Sequence, residues 1–182
     1  MEHFFNQEHF GENWFSFSEL YSDMVKKFPC GSKFVEVGCW KGKSSAYMAV
    51  EIVNSNKKIE FTCVDIWKEG EGDLYYSPKD IYQTFKNNML PVENYYKDIR
   101  MDSIDASKLF ADESLDFVFI DACHQYDCVK NDIIAWKPKI RKGGILAGHD
   151  YSEYWPSVKK AVEELLPNNF YTIDTCWIHD VK

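Results

Sequence analysis

Apolar positions along this chain switch repeatedly between a helical period and short continuous runs. In SELYSDMVKKF, Leu20, Met24 and Phe28 fall on one helical face, Ser18 is placed as a cap, and Pro29 and Gly31 stop the run, so the spacing predicts a helix over about 17–28. KFVEVG at 33–38, a helical stretch at about 43–55 and IEFTCVD at 59–65 then read as strand, helix and strand. Ile81, Phe85 and Met89 recur every four residues in another helix. Further strands are predicted at 95–100, 115–121 and 143–149, with helices at 103–110 and 125–136 between them. The tail holds a helix at about 155–166 and short strands near 170–173 and 175–179.

Five strands interleaved with helices imply an α/β fold with a doubly wound, mostly parallel sheet, because right-handed crossovers of this length put helices on both faces. The last two strands have no helix between them and so predict an antiparallel hairpin at one sheet edge. A length of 182 residues fits one domain over 1–182. Residues 1–15 carry five aromatics without periodicity, which favours folding back over an apolar surface, so 1–30 forms an aromatic segment and a helix. The polar, glycine-bearing stretch 66–80, with Trp67, Tyr75 and Tyr76, is expected to act as a lid.

Composition narrows the function classes. No run approaches the length of a membrane helix, and the amino terminus lacks the basic start and apolar core of a secretory signal, so a cytosolic protein without a membrane partner is expected. The formal net charge of -8 argues against nucleic acid as a partner. Six scattered cysteines, several inside strands, do not read as a disulfide framework. Cys123, His124 and Cys128 begin like a zinc site but lack a second ligand pair at matching spacing. Trp14, Trp155 and Trp177 are candidates for a homodimer surface or for core packing.

In an open parallel sheet, ligands bind beyond the carboxyl ends of the strands, and the residues there carry the chemistry. After the first strand, Gly38 and Gly42 form a turn into a helix that contains Ser44, offering amides to an anion, while Glu36 is a carboxylate inside an apolar strand. The pattern lacks the second glycine of a dinucleotide fingerprint, where Trp40 stands, and the Walker spacing also fails, which disfavours NAD and ATP. Asp65 ends the second strand where nucleoside-binding domains hold ribose hydroxyls. Asp102 and Ser103 follow the third strand, either flanking an adenine or capping a helix. Asp121 and His124 after the fourth strand, and His149 and Asp150 after the fifth, are predicted to meet in one volume, around a divalent cation or a proton relay.

The stretches FVEVGCWKGKSS, FTCVDIW, RMDS and LDFVFIDACHQYDCVKNDIIAWKPKIRKGGILAGHDY, spanning about 33–151, resemble class I S-adenosylmethionine-dependent methyltransferases, in particular small O-methyltransferases akin to macrocin and other sugar-hydroxyl O-methyltransferases. The resemblance implies a Rossmann-like, seven-stranded sheet with an antiparallel C-terminal strand. It also implies methyl transfer from S-adenosylmethionine to a hydroxyl of a small molecule or sugar. Glu36, Gly38, Gly42 and Ser44 would surround the methionine moiety, Asp65 the ribose, and Asp102 with Ser103 the adenine, with Asp121 also bordering the cofactor. Metal-dependent relatives place an acid after the fourth strand and an acidic pair after the fifth, which map onto Asp121, His149 and Asp150. His149 departs from that pattern, because imidazole suits manganese or iron better than magnesium, or serves as base instead of ligand. His124 and His149 are the candidate bases, with Asp121 the third catalytic candidate. A noncatalytic nucleoside-binding scaffold and an NAD-dependent oxidoreductase are the rival readings.

Overall fold

Strict alternation along the strands builds two apolar layers on opposite sides of one sheet. The computed structural model describes residues 1–11, 13–68 and 80–182. Its strands are β1 (Lys33–Val37), β2 (Glu60–Asp65), β3 (Lys97–Arg100), β4 (Leu115–Ile120), β5 (Ile140–Gly148), β6 (Tyr171–Ile173) and β7 (Cys176–Asp180). Its helices are α1 (Ser18–Lys27), α2 (Lys43–Ser55), α3 (Ile81–Asn88), α4 (Ser103–Ser107), α5 (Tyr126–Trp136) and α6 (Pro156–Leu165). The sheet order is β3-β2-β1-β4-β5-β7-β6, with β7 antiparallel to both neighbours and β1 to β5 parallel. The fold is therefore the α/β, doubly wound, seven-stranded sheet expected.

Phe34, Phe61, Phe117, Phe119 and Ile145 pack beneath α1, α2 and α3, while Val35, Val37, Val64, Val118, Ile120 and Leu146 pack beneath α5 and α6. The strand period of two sends alternate side chains to opposite faces, so each central strand feeds both layers. Both edge strands are short, which limits the unpaired backbone that they present.

Several local details differ from the sequence reading. Ser18 is the first residue of α1 and caps nothing: Phe17 is the N-cap and is buried, so burial of its ring overrides capping preference. α4 stops at Ser107, and β5 starts at Ile140, three residues earlier than expected, after a 3-10 turn over Lys137–Lys139. A second 3-10 segment, Leu90–Tyr95, carried no legible signal. Trp177 lies in the core, which removes it from any subunit surface.

The amino-terminal aromatics do fold back: Phe10 is fully buried, and Phe4, Phe5 and Phe15 pack on the layer beneath α1 and α2. Of the stretch expected as a lid, residues 69–79, including Tyr75 and Tyr76, lie outside the described residues. Trp67 is core and not lid, since it is buried, contacts Tyr82 and Phe85, and donates its indole N–H to the Trp40 carbonyl at 2.8 Å. No helix among the described residues is long and apolar enough to cross a membrane.

Phe119 sits at the centre of the aromatic layer, with ring centroids 4.5 Å from Phe17 and 5.1 Å from Tyr21. Phe119→Ala removes those contacts and leaves a cavity under α1, and it should cost about 3–5 kcal/mol in denaturant unfolding, with the midpoint lowered and the slope unchanged.

Candidate active site

The order of strands reverses between β1 and β4, and two turns meet there closely enough to dictate a glycine. Gly38 has φ of 88°, and a Cβ added to it would lie 2.0 Å from the Asp121 carbonyl oxygen. Asp121 N–H in turn donates to the Val37 carbonyl at 2.8 Å, and Gly38 N–H donates to Val64 at 2.9 Å. Gly42, with φ of 86°, starts α2 without a side-chain cap, and a Cβ there would press on Phe85 and Met89 at 3.0–3.1 Å. The first amides of α2 thus keep the orphan donors of a helix start.

Glu36 lies below this turn and is buried, accepting hydrogen bonds from the Tyr21 hydroxyl at 2.8 Å and from the Ser45 hydroxyl. Burial pushes its carboxyl up to about 7 against the lowering influence of the Ser44, Ser45 and Tyr21 hydroxyls. Asp65 ends β2 with its carboxylate on three backbone amides, Cys39 and Trp40 at 2.8 Å and Trp67 at 2.7 Å. Two amides expected to face an anion are therefore occupied by Asp65, which clamps the β1–α2 turn to β2. Asp102 caps α4 through the amides of Ile104 and Asp105, so the capping alternative at that position is realised. Ser103 accepts the Trp136 indole N–H at 2.9 Å.

Asp121, His124, His149 and Asp150 do converge. His149 Nδ1 stands 3.6 Å from Asp121 Oδ1 and 3.4 Å from Asp150 Oδ1, while Asp150 Oδ2 lies 2.7 Å from His124 Nε2. Asp150 thus bridges two imidazoles, and its φ of 61° is a left-handed conformation that stores backbone strain at this point. Burial pulls the His149 imidazole down, but Asp121 and Asp150 outweigh it and raise the group to about 10. Burial acts to raise Asp150, yet the two histidines hold it well below the ordinary carboxylate range. The His124 ring is stacked on Trp155, with centroids 3.9 Å apart and planes 16° apart. A cavity of about 10 Å³, room for about one water, is lined by Asp121, His124, His149 and Asp150 among others. A larger hollow of about 590 Å³ lies at the opposite ends of the strands, beside Lys33, Glu60 and Lys97, away from every candidate group.

One oxygen or nitrogen from each of Asp121, His149 and Asp150 lies within 4.8 Å of the others, a donor set of two carboxylates and one imidazole that fits a divalent ion. Cys123, His124 and Cys128 do not form such a set among the described residues, since the His124 ring is turned to Asp150. The six cysteines are free thiols.

A family model described as a methyltransferase domain matches residues 35–151, which include the glycine turn, Asp65 and the Asp121–Asp150 cluster. The chain belongs to that methyltransferase family. Its cofactor is S-adenosylmethionine, and the dinucleotide-dependent alternative falls away with that assignment. A search of curated proteins finds no match. Among solved structures, the O-methyltransferase NovP superposes with a TM-score of 0.68 at 17% identity, over 91% of this chain and 79% of that one. CalS11, a TDP-rhamnose 3′-O-methyltransferase of calicheamicin biosynthesis, gives 0.62 at 13% identity, over 90% of this chain and 76% of that one. A SAM-dependent O-methyltransferase from Thermotoga maritima also gives 0.62 at 13% identity, over 94% and 67%. At such identities the likeness is one of fold.

Sequence reasoning missed the partners of the charged groups in this methyltransferase. Tyr21 and Ser45 hold Glu36, Trp155 holds His124, and Ser16 and Thr175 contact His149 at 3.1 and 2.8 Å. Only Tyr21 carried a signal, as a polar-tipped residue beside the apolar face of α1.

Because the Glu36 carboxyl is raised in the folded state, the native protein holds that proton more tightly than the unfolded chain. Its contribution to stability is complete below about pH 4.5 and is lost as pH rises through about 7, on the order of 3 kcal/mol. Glu36→Gln mimics the protonated acid, so the stability difference between variant and parent should grow in the variant's favour across that interval, measured by denaturant melts at pH 4.5, 6 and 8.

Proposed function

We propose that this methyltransferase acts on oxygen, moving the methyl group of S-adenosylmethionine to a hydroxyl of a small molecule, with sugars and planar phenols as the acceptor classes. The observation that carries this reading is the gathering of Asp121, His124, His149 and Asp150 beside the glycine turn, since a hydroxyl becomes a nucleophile only when its proton has somewhere to go. The cofactor, when bound, supplies an electrophilic methyl group on a sulfonium. The chain must hold that group in line with the acceptor and take up the proton.

The uncapped start of α2, with Ser44 in its first turn, suits a carboxylate, and Gly38 and Gly42 with Glu36 beneath them border the methionine moiety. A carboxylate has about four acceptor sites, so Asp65, with three amides bound, keeps one for a ribose hydroxyl. Asp102, although one of its oxygens caps α4, would with Ser103 also border the adenine, and Asp121 the reacting end.

His124 is the base favoured by the geometry. About a third of its side chain is exposed, its Nε2 is committed to Asp150, and Trp155 fixes the plane of the ring, which leaves Nδ1 to accept the acceptor's proton. Asp150 then stabilises the imidazolium so formed, as a carboxylate does in other histidine dyads. His149 is a poorer base, being only 10% exposed with both nitrogens engaged. Asp121, His149 and Asp150 would hold a divalent ion, manganese in preference to magnesium because one donor is imidazole, and such an ion would lower the acceptor's hydroxyl pKa.

Calorimetric titration with S-adenosylmethionine should give a dissociation constant on the order of micromolar. Radiolabelled methyl transfer to a panel of simple phenols and methyl glycosides should then fall by about 10²–10⁴ in His124→Ala, with cofactor affinity kept. Asp121→Ala should lose transfer while still binding cofactor. Turnover retained in Asp121→Ala would overturn its catalytic role, and cofactor binding without any transfer by the parent would favour a noncatalytic scaffold.

A further inference from the structure

His149 is held more firmly from the side away from the carboxylates than from the side facing them. Its Nε2 makes two contacts of hydrogen-bond length, 3.1 Å to Ser16 Oγ and 2.8 Å to Thr175 Oγ1. Its Nδ1 lies 3.4 and 3.6 Å from Asp150 and Asp121, separations at which charge attracts but direction is weakly enforced. Phe17, next in the chain to Ser16, packs on the ring with centroids 4.9 Å apart.

We propose that Ser16 and Thr175 are positioning residues for His149, and that the amino-terminal segment is through Ser16 a working part of the catalytic centre. The inference rests on the reading of Asp121, His149 and Asp150 as that centre. A half-turn of the imidazole about its Cβ–Cγ bond exchanges each ring nitrogen with a carbon. The flipped ring would show C–H to both hydroxyls and to both carboxylates. The flip would cost the half-buried Thr175 hydroxyl its ring partner, and the exposed Ser16 hydroxyl adds a second contact on the same nitrogen, so together they favour the orientation with Nδ1 towards Asp121 and Asp150.

Neither hydroxyl is there by chance of local sequence. Ser16 reaches the ring from 133 residues away because Phe17 is buried and caps α1. Thr175 stands in the two-residue turn between β6 and β7, and its carbonyl accepts the Tyr151 N–H at 2.9 Å, which docks that turn against the exit of β5. Three separate parts of the chain therefore fix one ring. Hydroxyls can donate or accept, so the pair serves Nε2 whether or not it bears a proton.

The test uses full-length protein with 15N-labelled histidine, whose five imidazoles are resolved in long-range 15N–1H spectra and whose His149 signals are identified by their loss in His149→Gln. In the Ser16→Ala/Thr175→Val double variant, the His149 ring signals should shift or split, while Thr175→Ser should keep the parent spectrum. With the best acceptor of the panel above, kcat should drop roughly tenfold in the double variant, and the KM for S-adenosylmethionine should stay within about twofold. Unchanged His149 signals would overturn the proposal, as would a loss of kcat that tracks a fall in Tm and is not rescued by Thr175→Ser. Full turnover by His149→Gln would instead overturn the reading of the centre on which the proposal rests.

Discussion

The close approach of the Gly38 and Asp121 backbones is the constraint on which the rest of the site depends. β1 and β4 are neighbours in the sheet but start helices on opposite faces, so their exits must pass each other within van der Waals distance. With a Cβ on Gly38 the Asp121 carbonyl would be displaced, and with it the start of the loop that carries His124. The glycine in this turn thus serves chain packing first. Its openness to a ligand follows from the same missing side chain.

Two buried or half-buried carboxylates lock the turn from below and from the side. Glu36 is tied to α1 and α2 through Tyr21 and Ser45, and Asp65 ties the turn amides to β2. Burying a carboxyl is costly unless every lone pair finds a donor, so each of these residues requires the correct docking of two other elements. The glycine turn is therefore cooperative with the core: the aromatic layer under α1 sets Tyr21, and Tyr21 sets Glu36.

At the neighbouring strand ends, charge is handled by pairing instead of by exposure. Asp150 serves His124 on one oxygen and His149 on the other, at the expense of a left-handed backbone. The result separates two histidines that the sequence presents as equals. One is nearly enclosed among carboxylates and hydroxyls, and the other is stacked on Trp155 and partly open. The family assignment rests on the whole run from 35 to 151, whereas this difference between the two histidines rests on the environment of each ring.

The sheet and the polar groups at its strand ends were legible in the chain because they rest on local rules. Apolar runs of strand length, helical spacings such as Leu20, Met24 and Phe28, and the missing helix between β6 and β7 gave the sheet and its hairpin. The rule that ligands gather at strand ends picked out Glu36, Asp65, Asp121, His124, His149 and Asp150. What those side chains touch was beyond local reading, because it depends on contacts between residues remote in sequence. Trp67 looked like part of a polar loop and is core, since only the docked α3 supplies Tyr82 and Phe85 to enclose it. Ser16 and Thr175 carry no signal as single polar residues in irregular segments, and they meet His149 only after α1 and the hairpin have packed. Sequence by itself determined the order of elements and the kinds of groups at their ends. Tertiary packing alone decided their partners, because hydrogen bonds and burial are properties of neighbours in space and the chain specifies those neighbours only once it has folded.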